Sequence, residues 1–421
     1  MKKFFAFITT LLLASLCAAL FACAPPEAVY EYGAEQVVTP FWFNTSDEGT
    51  VIYNEVAVPV SYGGDTAIAR LAYTPTRVIS VRDYTLDKEY SPSDYTVSGN
   101  SISVKTDGSM PYLEAKWIDG VDVPEDMTDN TAGTTPYNDG GGLNGGQYLL
   151  SEGSLFRTRH LSVTYETADA IELDTPEYVP GNFPNLLPKL QAGEPIRILV
   201  FGDSIFTGAS ASSVVGFEPE LPAFFELMRE FLADRFYGGD ASKIALVNPS
   251  VGGVLSSWGA DQVKGGAIDM DGFDLVVLGF GINDGSLRQS AASFVGNTRT
   301  MIDGIRAHSP SADFIVVGSF APNPKSVFWG EGTHADYIEP TRALCDEKNG
   351  SSSGCTYVGL YDLSLDLLAN KQDAADGDAR YRYLDLSANF TNHPNDFMVR
   401  LYAGCILSAF VEFESAVAYA D

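Results

Sequence analysis

Basic residues are scarce in this chain. Its 421 residues carry 26 Lys and Arg against 55 Asp and Glu, a formal net charge of -29. A surface this acidic repels nucleic acid and anionic lipid, so neither is an expected partner. Histidine is scarcer still, at His160, His308, His334 and His393. Any imidazole chemistry must come from one of these four. Cysteine occurs five times, and no Cys/His spacing has the form of a zinc site, so no metal or cofactor is expected. A long apolar lid is not evident, which weighs against a lipase.

What is present begins with a targeting pattern. Lys2-Lys3 precede an apolar stretch, Phe4–Leu20, that is short for a membrane span. Leu20-Phe21-Ala22-Cys23 resembles a bacterial lipobox, with Phe at the second position an imperfect match. Residues 1–23 are therefore expected to be a signal peptide of lipoprotein type, with membrane attachment through a lipidated Cys23. Cleavage near Ala22 as an ordinary secretory signal is the alternative. Either route exports the protein, to the periplasm, the outer membrane or the medium of a bacterium. Export would permit a disulfide between Cys345 and Cys355, which flank a polar, Gly- and Ser-rich loop. Cys405, in a helical apolar pattern, reads as a buried free thiol.

Residues 24–170 read as a β-sandwich-like accessory domain. Val51–Val60, Ile68–Tyr73, Arg77–Arg82, Tyr95–Val97, Ser101–Lys105 and His160–Tyr165 are short runs rich in Val, Ile, Thr and Tyr, separated by turn residues. Ser98-Gly99-Asn100 has hairpin character. The Gly- and Asn-rich stretch Asp129–Gly146 interrupts the pattern. Trp42, Trp117 and many tyrosines fit either an aromatic glycan-binding face or core packing, and packing is favoured. Residues 171–194 carry Pro176, Pro180, Pro184 and Pro188 and read as a surface linker. Residues 195–421 alternate strands with helical periods. Strands are expected at Ile196–Gly202, Ile244–Val247, Leu275–Phe280, Phe314–Gly318 and Tyr357–Tyr361. Helices are expected within 217–237, 291–308, 337–348 and 394–410. Such alternation builds a parallel sheet covered by helices on both faces.

The chemistry concentrates at strand ends. Ile196-Arg-Ile-Leu-Val-Phe is a buried-strand run that stops at Gly202-Asp203, and Ser204 follows. A serine just past the carboxyl end of such a strand is a candidate nucleophile, provided that a base takes its proton and donors await the oxyanion. Val247–Gly253, Gly281-Ile282-Asn283-Asp284 and Asn392-His393-Pro394-Asn395-Asp396 occupy comparable positions. The Gly-x-Ser-x-Gly elbow of α/β-hydrolases is absent at Ser204.

Gly-Asp-Ser, a glycine block, Gly-x-Asn-Asp and a late His-Pro-Asn-Asp, in that order, resemble the SGNH (GDSL-type) hydrolases over roughly residue 196 to the end. The resemblance implies a flavodoxin-like three-layer α/β/α fold. It also implies Ser204 as nucleophile, His393 as general base and then acid, and an oxyanion hole from the Ser204 N–H, the Gly253 N–H and the Asn283 amide. Gly252 is the alternative to Gly253, and His334 is the one rival to His393. The chain departs from the family at the triad acid. The position three residues before the histidine is Phe390, which leaves Asp385, Asp396 or a backbone carbonyl to hold the imidazole. The expected activity is ester hydrolysis through an acyl-serine, with an acylated glycan or other ester as substrate and a polysaccharide O-acetyl group as the leading guess. A glycan-binding protein with an inactive hydrolase domain, an esterase or lipase of other specificity and an acyltransferase are the alternatives.

Overall fold

The structure, a computed structural model, describes residues 34–417 apart from 48, 128–133, 139–146, 325, 327–331 and 372–378. The signal peptide, Cys23, most of the 129–146 stretch and Trp329 lie outside the described residues.

Five parallel strands form the C-terminal sheet. Their order across it is Ile244–Val247, Ile196–Gly202, Leu275–Gly279, Asp313–Gly318 and Cys355–Gly359. Numbered within the sheet, this is 2-1-3-4-5, the flavodoxin-like order. The inner strands are buried along nearly their whole length, which is why they read as apolar runs broken only by Arg197 and Asp313 near their starts. The chain leaves Ile196–Gly202 for one side of the sheet and later returns to its other side. The crevice at that reversal opens at the carboxyl ends of Ile196–Gly202 and Leu275–Gly279, where a doubly wound fold binds its ligand.

The helices follow the apolar spacing. Ala291–His308 buries Phe294, Thr298, Met301, Ile302 and Ile305 at three- and four-residue intervals, and Ser290 caps its start by accepting from the Ser293 N–H. Phe224–Tyr237 buries Leu227, Met228, Phe231 and Leu232 and stops at Gly238 in left-handed backbone. Asp396–Ser408 is buried almost all round, so it is a core helix. Its cap is Asn395, and Pro394 stands just outside rather than in the first turn. Ser256–Lys264 and Tyr361–Asn370 are helices that the sequence reading passed over.

The N-terminal region is sheet-rich. One antiparallel sheet takes the order Thr45–Ser46, Gly49–Ala57, Leu161–Thr167, Pro75–Asp83. A second runs Tyr95–Ser98, Ser101–Lys105, Thr66–Arg70, Val60–Ser61, Leu113–Glu114. Ser98 pairs with Ser101 around the two-residue turn Gly99-Asn100, with Gly99 at φ +55°. A hairpin pairs Thr134–Asn138 with Gln147–Ser151. Trp42 packs against Phe41 and Phe43, and Trp117 stacks on Tyr112, all within the chain's own packing.

This region is bonded into the α/β layers at many points. Arg400 donates to the Val37 and Tyr53 carbonyls, Arg382 to the Val58 carbonyl, and Asp385 accepts the Val58 N–H at 2.7 Å. Lys371, fully buried, pairs with Glu55 at 2.5 Å. The 171–194 segment shares in this. Phe183, Leu186 and Leu190 are buried, Leu186–Gln191 is helical, and the Asn185 and Leu186 N–H groups donate to Asp313. Pro180 opens the short Pro180–Asn182 turn, Pro184 stands in the turn before the helix, and Pro188 lies within the helix. Cys345 and Cys355 are both buried free thiols in the core of the sheet and its helices, so the expected disulfide is not formed. Cys405 is also buried and free.

Candidate active site

Two glycines make room for the turn that carries Ser204. Gly202 and Gly279 face each other across neighbouring strands. A Cβ on Gly202 would lie 2.1 Å from the Gly279 carbonyl oxygen, and one on Gly279 would lie 1.8 Å from the Phe206 ring. The slot they leave is filled by Phe206, fully buried, so the Asp203–Phe206 turn is pinned against the sheet. Ser204 is thereby held at the strand end with a small exposed fraction, 9 %.

His393 reaches it from the far end of the chain. Its Nε2 lies 3.0 Å from Ser204 Oγ. The loop before it is organised by Asn389, whose Oδ1 accepts the N–H groups of Thr391, Asn392 and His393 at 2.9, 3.0 and 3.1 Å. The other side of the ring meets a residue that the sequence reading missed. His393 Nδ1 lies 3.0 Å from Glu152 Oε2, and Asn389 Nδ2 donates to Glu152 Oε1 at 2.8 Å. Glu152 directly follows the Gln147–Ser151 strand, 241 residues before His393. Burial pushes its carboxyl up, but hydrogen bonds from His393 and Asn389 and the attraction of the imidazole outweigh that and hold it below the usual range.

The acids weighed from the sequence are engaged elsewhere. Asp385 is fully buried and faces Val58, Lys371 and Arg382. Asp396 takes Arg157 at 2.8 Å and the Ser212 N–H at 3.0 Å. Among the described residues, Glu152 rather than a backbone carbonyl holds the imidazole Nδ1. Phe390 is buried, with φ +68°, and its ring packs on Tyr148 and Phe156, which bracket Glu152 in the chain. His334 is a packing residue: its Nε2–H donates to the Ile282 carbonyl at 2.9 Å, and burial lowers its basicity.

Gly252 lies beside Ser204, and Asn283 is tied to the same loop. Asn283, the second residue of the short Ile282–Ser286 helix, donates from Nδ2 to the Val254 carbonyl at 2.9 Å, keeping its second amide hydrogen. That bond ties the glycine loop to the next strand end. A Cβ on Gly252 would lie 3.7 Å from Ser204 Cβ, whereas one on Gly253 would touch nothing. Gly253 sits at φ +74°, where glycine is favoured, and so also serves the turn. Among the described residues, no acceptor takes the N–H of Ser204, Gly252 or Gly253. Behind the nucleophile, Asp203 is fully buried. Burial, with the charge of Asp284 adding to it, lifts its carboxyl to about 8 despite the bond from the Ile205 N–H. Asp284 is raised by burial too, against bonds from the Ser256 hydroxyl and N–H. Among the described residues, no group of His, Cys, Asp or Glu is arranged to hold a metal.

The arrangement joins a hydroxyl, an imidazole and a carboxylate through successive 3.0 Å contacts, with the glycine loop beside the hydroxyl. No curated protein sequence matches the chain. Solved structures are similar to about half of the chain. A member of the lipolytic G-D-S-L family from Veillonella parvula is 16% identical with a TM-score of 0.36, covering 51% of this chain and 97% of that one. The lipase/acylhydrolase from Enterococcus faecalis is 19% identical with a TM-score of 0.36, covering 50% and 93%. A mutant of an acetyl-xylooligosaccharide esterase from Geobacillus is 17% identical with a TM-score of 0.38, covering 53% and 98%. Residues 200–401 match the GDSL-like lipase/acylhydrolase family.

Proposed function

We propose that the protein is an exported serine ester hydrolase that acts through an acyl-Ser204 intermediate, with O-acetyl groups on a polysaccharide as its substrate class. The observation that carries the chemistry is the 3.0 Å approach of His393 Nε2 to Ser204 Oγ. With Nδ1 protonated and donating to Glu152, Nε2 presents its lone pair to the hydroxyl. The serine proton moves to Nε2 as the Oγ–carbon bond forms, and the N–H groups of Ser204 and the glycine loop, with Asn283, offer donors to the oxyanion. The imidazolium returns the proton to the departing alcohol as the ester C–O bond breaks. Water then repeats the cycle on the acyl-enzyme.

The substrate class rests on the export pattern and the sheet-rich region joined to the hydrolase. The reading as an inactive glycan-binding protein drew its strength from Phe390 in the acid's place. The Glu152 contact weakens that reading.

The test is hydrolysis of p-nitrophenyl acetate by the chain starting at Ala24, beside Ser204→Ala and His393→Ala, followed by acetyl release from acetylated polysaccharides. Loss of at least about a thousandfold in both variants is expected. Equal activity in all three would refute the assignment. Acetyl-ester activity without any release from glycans would refute the substrate class alone.

A further inference from the structure

We infer that the N-terminal sheet-rich region is a working part of the catalytic apparatus. It supplies Glu152 as the acid that positions His393, in place of a local acid at the position of Phe390. The inference rests on the ester-hydrolase reading above and deepens it.

Three independent features converge on this. The first is the geometry of a carboxylate 3.0 Å from Nδ1 of an imidazole whose Nε2 is 3.0 Å from the serine hydroxyl. The second is Asn389. Its carbonyl oxygen gathers three successive N–H groups of the histidine loop, and its amide nitrogen reaches Glu152 Oε1 at 2.8 Å. One side chain therefore sets the histidine loop and its acid in register. The third is Phe390. Its ring sits among Tyr148 and Phe156 at 5.5 and 6.0 Å, so the residue that stands in the acid's place is also the docking point of the segment that brings the substitute. A non-glycine residue at φ +68° is held there only when its surroundings over-determine it, and this packing does so. Arg157 clamps the same segment, donating to Asp396 at 2.8 Å and to the Ser210 carbonyl at 2.6 Å.

The role follows from charge. Glu152 accepts the Nδ1 hydrogen, fixes the tautomer and opposes the positive charge that appears as Nε2 takes the serine proton. It does not take that proton itself. Its side chain is about half exposed, at 49 %, so water shares the task. The effect of losing it is accordingly smaller than the roughly ten-thousandfold seen for a buried triad acid. On this account the region is not an appended module. The acid, the histidine loop and the nucleophile are assembled only when sheet-rich and α/β layers are packed together.

The experiment compares the full chain with Glu152→Gln, Glu152→Ala, Glu152→Asp and Asn389→Asp. Folding is checked by circular dichroism and by thermal midpoint. Steady-state hydrolysis of p-nitrophenyl acetate is read together with the rate at which a fluorophosphonate labels Ser204. Glu152→Gln and Glu152→Ala should lower kcat and the labelling rate by about a hundredfold or more, with KM within about threefold. Glu152→Asp should recover part of the loss, and added formate should partly rescue Glu152→Ala. Asn389→Asp, which turns a donor to Glu152 into a second carboxylate, should lower kcat in the same sense. A merely structural role would not respond to formate. Wild-type kcat and labelling in folded Glu152→Gln, while Ser204→Ala abolishes both, would overturn this inference and leave the hydrolase reading standing. No labelling of Ser204 in the parent chain would overturn both.

Discussion

Lys371 offers the sharpest test of how the two halves of the molecule are joined. It follows the Tyr361–Asn370 helix, and its ammonium has three donors and three acceptors: Glu55 Oε1 at 2.5 Å, the Val56 carbonyl at 2.9 Å and the Arg70 carbonyl at 3.1 Å. All three acceptors belong to the sheet-rich region. Asp385 Oδ2 lies 3.6 Å away, and Lys371, Glu55 and Asp385 are each fully buried. Lys371→Met keeps the length of the side chain and removes the charge. Among the described residues, Glu55 then retains the Ala72 N–H and the Tyr165 hydroxyl, and two buried carbonyls lose a donor. Asp385, already pushed up by burial against the pull of Lys371 and Arg382, loses the nearer cation. Removing one member of a buried ion pair costs about 3–5 kcal/mol, a large part of the roughly 5–15 kcal/mol that holds a domain folded. Urea unfolding at pH 7, followed by tryptophan fluorescence and far-ultraviolet circular dichroism, measures it. The expected result is a single, earlier transition seen alike by both probes. Glu55→Gln combined with Lys371→Met should cost less than the sum of the two single changes. A loss under about 1 kcal/mol, or separate transitions for the two probes, would refute the account of a load shared across one cooperative unit.

Other consequences are open to direct measurement. Phe390→Asp restores a carboxyl three residues before His393 but buries it among aromatic rings; we expect a loss of at least about 3 kcal/mol in urea and no rise in kcat, and a faster, equally stable variant would contradict the packing. Gly202→Ala should lower both stability and activity, by about 2 kcal/mol or more on denaturation, because its methyl would meet the Gly279 carbonyl at 2.1 Å. Asp203 holds its proton up to about pH 8 in the folded chain and releases it near 3.8 in the unfolded one, so the folded state binds more protons across that window and wild-type stability falls as pH rises. Asp203→Asn does not titrate and should gain on the wild type between pH 5 and 8, by roughly 1 kcal/mol per pH unit; a difference that stays flat with pH would refute the shift. Cys345, Cys355 and Cys405 are buried thiols, so in the chain starting at Ala24 a thiol reagent should find no reactive group until guanidinium unfolds it and then three, whereas a single one would mean the disulfide forms after all.

The sequence by itself determined the elements whose signals are local. Ile196–Gly202 reads as a buried strand because its apolar run is uninterrupted after Arg197, and the turn after it places Ser204 at the strand end. Ala291–His308 is legible from its 3.6-residue spacing, and Ser98–Ser101 from its turn chemistry. Ser204, Asn283 and His393 stand out for the same reason: each follows a strand or precedes a helix, where backbone groups point at a ligand. Tertiary structure alone decided the rest. Strand order depends on which face each crossover covers, and no single strand encodes it. The thiols of Cys345 and Cys355 stay free while packed in one core. Glu152 is one of 55 acidic residues, in a Gly-rich segment with no periodicity to mark it. Only an apolar residue in the acid's usual place hinted that another surface would cover the histidine loop. Which surface, and which carboxylate on it, was fixed by the docking of Tyr148 and Phe156 around Phe390, an interaction between side chains more than two hundred residues apart in sequence.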